Sequence, residues 1–98
     1  MKLILNNEIE LEVLSSSEIK ELNENAEAKW VLTIEAQGRI EAQQIDKILQ
    51  DTSLIAVLKD ENGEEKDLSS YEVINNIRIL YGQSFNENVI RIRMQERG

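Results

Sequence analysis

The chain has 98 residues, 41% of them apolar and 31% charged, with a net charge of −8. Its length defines one domain, residues 1–98, with room for a small core. Cysteine and histidine are missing, which excludes disulfides, thiolate zinc sites, thiol nucleophiles and an imidazole base, and the acidic balance argues against direct nucleic-acid binding.

Residues 1–5 are predicted as a short strand. Asn6-Asn7 follows as a tight turn, because asparagine tolerates positive φ. Residues 8–14 alternate, with Glu8, Glu10 and Glu12 on one face and Ile9, Leu11 and Val13 on the other. That is the period of a half-buried strand. Residues 15–29, "SSSEIKELNENAEAK", allow two readings. Ser17 could cap a short helix through Leu22, or the strand continues and turns at Asn23–Asn25. The extended, solvated hairpin is preferred. Residues 29–36 form a strand with Trp30, Leu32, Ile34 and Ala36 on one face, ended by Gly38.

Residues 40–50 have the helix period, with Ile45, Ile48 and Leu49 on one stripe and Ile40 or Ala42 completing it. Asp51-Thr52-Ser53 stops the helix, and residues 54–59 read as a buried strand. Asn62-Gly63 is a strong hairpin signal, with residues 66–69 as the returning strand. Residues 71–81 alternate over their second half, with Ile77, Ile79 and Tyr81 on one face. A polar turn spans residues 82–88. Residues 89–94 close the sheet, with Ile90, Ile92 and Met94 opposite Arg91 and Arg93. The last four residues are expected to fray. The predicted fold is α+β, a small and mainly antiparallel sheet or partial barrel of six to seven strands with one helix at about 40–50.

Asp60, Glu61, Glu64, Glu65 and Asp67 crowd one loop. Aligning Gly63 with the sixth position of an EF-hand puts Leu58 at position one and Ser69 at position twelve, so both anchoring ligands fail. A solvated hairpin tip is the better account. Glu8, Glu10 and Glu12 make a carboxylate ladder that could imitate a phosphate backbone, although a charged, solvent-facing strand explains it as well. Arg91 and Arg93 could pair across strands with acids such as Glu8–Glu12, or meet a partner's acidic patch. Trp30 belongs to the core face, with an exposed interface anchor as the sharper alternative. These eleven residues are the candidate interaction set. Nucleophile-elbow and phosphate-loop motifs are missing, so no catalytic residue, metal or cofactor is expected.

Charge is uneven. Residues 8–27 hold seven acids against Lys20, and residues 78–98 hold four arginines against two acids. Such halves could pair within one fold or between copies. The apolar start, Met1 to Leu5, is too short for a signal core, and no window approaches a membrane span. Residence in a host cytoplasm or a virion is expected, without a membrane.

The order "MKLILNNEIELEV", "KWVLTIEAQGRI", "IDKILQD", "LKDENGEEKDLSSYEVINNI" and "VIRIRM" resembles small structural proteins of bacteriophages and prophages, often associated with the tail or baseplate. The resemblance spans most of the chain, rests on element order and has no diagnostic motif. It implies a viral protein that works by contact, including contact with itself, and carries over no functional residue. In size, charge and lack of catalytic motifs the chain also resembles anti-CRISPR and other anti-defence proteins. That implies a different partner, a basic nucleic-acid-binding protein gripped by an acidic mimic.

Overall fold

The computed structural model describes residues 1–39, 42–51, 53–79 and 88–97. Among them are seven strands and one helix: β1 Lys2–Leu5, β2 Ile9–Leu22, β3 Ala28–Gly38, α1 Ala42–Gln50, β4 Ala56–Lys59, β5 Glu65–Asp67, β6 Tyr71–Ile79 and β7 Asn88–Glu96. All strands join one antiparallel sheet in the order β5-β4-β1-β2-β3-β7-β6. The sheet is open, with β5 and β6 at its two margins. These margins are consecutive in the chain, joined only through Leu68, Ser69 and Ser70.

The inner face packs on α1. Leu3, Leu5, Leu11, Leu32, Ile34, Ala36, Ala56, Leu58, Ile90, Ile92 and Met94 supply the sheet's part of the core, and Ile45 and Leu49 the helix's part. Burying side chains of this size stabilises by about 1.5–3 kcal/mol each before the entropy of ordering them is subtracted. None of the buried residues is polar or charged among those described. The helix is described over Ala42–Gln50, and Ile40 lies outside the described residues. Asp51 ends it by accepting hydrogen bonds from the Ser53 amide and hydroxyl at 2.9 and 2.7 Å. Those bonds stabilise the carboxylate and hold its pKa below the ordinary value.

The 15–29 segment is a hairpin rather than a helix. Pairing between β2 and β3 runs from Glu12↔Gln37 to Leu22↔Ala28. The register slips at Leu14, a β-bulge between Val13 and Ser15. One extra residue exchanges the two faces. Ahead of the bulge, Leu11 and Val13 lie on the helix side. Beyond it, Ser16 pairs with Ile34 and Glu18 with Leu32, which puts Ser16, Glu18, Lys20 and Leu22 on that side. Ile19 is thereby turned to the outer face, opposite Val31. A second bulge, between Val73 and Asn75, does the same in β6.

Several expected bounds move. Glu8 belongs to the first turn and β2 starts at Ile9, because Asn6 and Asn7 take φ of 54° and 57° and the Glu8 amide donates to Leu5 C=O at 3.1 Å. The strand expected over 54–59 starts at Ala56, and Ile55 is exposed. The returning strand is Glu65–Asp67, since Leu68 turns into the core. The end of β7 does not fray at Gln95, because Gln95 and Glu96 pair with Glu72 and Tyr71. Tyr81 and most of the 82–88 turn lie outside the described residues.

Candidate interaction surface

Two hairpin tips have the same construction. In "DENGE", residues 60–64, the Asp60 carboxylate accepts the Asn62 and Glu64 amides, both at 2.9 Å. The Asp60 amide donates to Glu64 C=O and the Gly63 amide to Asp60 C=O. In "NENAE", residues 23–27, Asn23 Oδ1 accepts the Asn25 and Glu27 amides at 2.9 and 3.0 Å. The Asn23 amide donates to Glu27 C=O and the Ala26 amide to Asn23 C=O. The fourth residue takes positive φ in both, 83° at Gly63 and 59° at Ala26. In the 60–64 loop only Gly63 carries positive φ, and Asn62 does not. Asp60 is thus spent on backbone amides, while Glu61, Glu64, Glu65 and Asp67 stand exposed around it. No group of three carboxylates among the described residues is placed to hold a metal ion.

The carboxylate ladder is broken. Glu8 sits in the turn, and Glu10 on β2 pairs with Lys2 at 3.4 Å. Glu12 keeps the same face, opposite Lys2. The arginines do not meet these acids, because across β3 their positions fall level with Ser15 and Ser17 of β2, past Glu12. Arg91 stands directly opposite Glu35 and donates to its Oε1 from Nε at 3.0 Å and Nη2 at 2.7 Å. Arg93 lies opposite the short Thr33 and passes over it to hydrogen-bond Glu21 on β2. Both guanidinium groups therefore stitch the outer face. Glu21 and Glu35 were missed in the sequence because strand order, and not spacing, decides which charges face each other.

A polar latch crosses the inner face beyond the helix. The Tyr71 hydroxyl on β6 donates to Glu18 on β2, and Lys66 on β5 reaches the same carboxylate at 3.8 Å. The Lys66 ammonium also lies 5.9 Å from the Tyr71 ring centre. The Glu18 hydrogen bond, with partial burial, pushes the Tyr71 phenol up to about 12. One carboxylate in the middle of the sheet thus holds both of its margins.

Past this latch, the β2–β3 hairpin projects with apolar side chains in water. Trp30 shares the core face by register, but it is 41% exposed, with Lys20 Nζ 5.7 Å from its ring centre. Its amide donates to Glu96 at 3.1 Å. Ile19 is 52% and Leu22 73% exposed. On β6 Ile74, the bulge residue, is also exposed, and it lines a shallow groove with Leu22, Val31 and Gln95. Pairing with β1 ends at Glu12, with one further bond from the Val13 amide to Met1 C=O. Among the described residues, β2 has a ladder partner on one side only from Ser15 to Leu22.

No protein-family model matches the chain, and no curated protein matches it either. No helix among the described residues is long and apolar enough to cross a membrane.

Proposed function

We propose that the chain is a non-enzymatic protein–protein interaction module of phage or prophage type, serving structure or assembly. One observation carries this reading: a long hairpin projects beyond the core with an unpaired strand edge and exposed Ile19, Leu22 and Trp30. Unpaired N–H and C=O groups are a template for another strand, and proteins normally blunt them. The curl of the sheet into a partial barrel belongs to the same reading. It rests on the short Leu68–Ser70 link between the outermost strands and on the contacts that Glu18 makes with both. In this reading the curl leaves the hairpin as the protruding contact element.

The test is capture from a phage-infected bacterial lysate on immobilised protein, washed at low and then high salt. Virion proteins retained at high salt, and lost on an Ile19→Asp/Leu22→Asp double variant, are the expected result. Unchanged retention by that variant would remove the hairpin from the account. The acidic-mimic reading predicts instead a basic nucleic-acid-binding protein that salt releases. The exposed acids around Asp60 favour it, whereas the broken Glu8–Glu12 row does not.

A further inference from the structure

We infer that the β2 edge from Ser15 to Leu22 docks a second copy of this chain, antiparallel about a twofold axis through Ile19; the inference rests on the interaction-module reading above. Three edges are candidates, and they differ. The β5 edge has three residues, all charged. The β6 edge is interrupted by its bulge at Ile74. Short length, charge and bulges are the devices that keep edges from pairing. The β2 edge beyond Leu14 is eight residues long and carries no bulge. Its pairing with β3 runs unbroken from Ser15 to Leu22, and Ser15 to Lys20 are all exposed. It is also nearly neutral, with Glu18, Lys20 and Glu21 the only charges, on a chain of net charge −8. Two copies meeting here bring together the part of the surface that repels least.

Symmetry restricts the register. Antiparallel strands from two identical sheets are related by an axis normal to the sheet, which keeps each residue on its own face. Facing residues must then share a face, so the axis passes through a residue. Two centres use most of the free edge. Centring on Glu18 sets Glu18 against its own copy, a like-charge clash. Centring on Ile19 sets Ile19 against Ile19, Glu18 against Lys20 twice, Ser17 against Glu21, and Ser16 against Leu22. Opposite charges facing each other across strands stabilise the pairing. The charge pattern of "SEIKE", residues 17–21, is thus complementary to itself in one direction only.

The absence of native cysteine makes a cysteine scan clean. Single variants Ser17→Cys, Ile19→Cys and Glu21→Cys of the full chain would be oxidised mildly and run on non-reducing gels, beside sedimentation equilibrium of the native chain. Facing Cα atoms in an antiparallel pair lie roughly 4.5–5.5 Å apart, within disulfide reach. Ile19→Cys should therefore cross-link rapidly. Ser17 lies four strand residues from its own copy, roughly 13 Å, so Ser17→Cys should not, and the same holds for Glu21→Cys. Lys20→Glu should raise the dimer dissociation constant about tenfold by facing acid with acid. Cross-linking that is fastest at another position would overturn the register. A strict monomer at millimolar concentration would overturn self-docking itself, and lysate capture would still decide the interaction-module reading separately.

Discussion

At the scale of single residues, the two hairpin tips make a matched pair of predictions. Ala26 occupies a left-handed conformation that costs an L-residue roughly 1 kcal/mol relative to glycine, and the residue is exposed. Ala26→Gly should stabilise the fold by about 0.5–1 kcal/mol in urea titrations. The reverse change, Gly63→Ala, should cost about 1 kcal/mol through φ alone, since an added Cβ would meet nothing within 4 Å. The sequence made the Gly63 turn legible through Asn-Gly. It hid the Ala26 turn, because alanine does not advertise positive φ. The signal was the shared pattern of "NENAE" and "DENGE", where the first side chain caps two amides.

Tyr71 supplies a pH prediction at the same scale. Its folded pKa is raised from 10.0 to about 12 by the Glu18 hydrogen bond. A phenol of raised pKa binds its proton more tightly when folded. Its contribution is therefore whole below pH 10.0 and is lost as pH climbs through about 12. In a Tyr81→Phe background, absorbance at 295 nm should show Tyr71 ionising well above its ordinary value. Adding Glu18→Gln should bring that transition down. Tyr71→Phe should cost about 1 kcal/mol near neutral pH and flatten the alkaline loss of stability.

At the scale of elements, the bulges explain both what sequence patterning found and what it missed. The strands over 29–36 and 89–94 were legible because their alternation runs unbroken along central strands. The helix stripe of Ile45, Ile48 and Leu49 was legible for the same reason, its period matching its burial. The phase of β2 was not legible, because Leu14 inserts one residue and moves Ile19 to the outer face. Inserting one residue between Ser15 and Ser16 would shift this phase again, putting Ile19 and Glu21 on the inner face and Glu18 and Lys20 outside. That should break the Tyr71 latch and the Arg93–Glu21 pair together, with a loss of several kcal/mol measured by thermal melting. Gly38 shows how tightly β3 meets its neighbour. A Cβ there would lie 2.3 Å from Leu11 Cδ2, and Leu11 is buried in the core. Gly38→Ala should cost about 1–3 kcal/mol by overpacking. Arg91→Ala, by contrast, should cost less than about 1 kcal/mol, since its pair with Glu35 is partly solvated.

At the scale of the whole molecule, the candidate set divides by what the fold does with each charge. Arg91, Arg93 and Glu10 are engaged within the chain, and Asp60 shapes a turn. Trp30 stays half in water because the core face outruns the helix that covers it. The surface that emerges in their place is the far half of β2. No composition rule pointed to it, since an unpaired edge is a property of strand order. It exists because β1 is four residues long while β2 is fourteen. That difference in length is what the proposed assembly role rests on.

Amide hydrogen exchange of the purified full chain, followed residue by residue in dilute and in concentrated solution, tests the free β2 edge most directly. Alternate amides from Ser15 to Leu22 point away from β3 in a two-stranded ladder. They should exchange fast in dilute solution and become protected on concentration, while the amides facing β3 stay protected throughout. Protection of every amide in the segment at the lowest concentration would mean the edge is already covered. Fast exchange that persists at the highest concentration would mean that no second copy docks there.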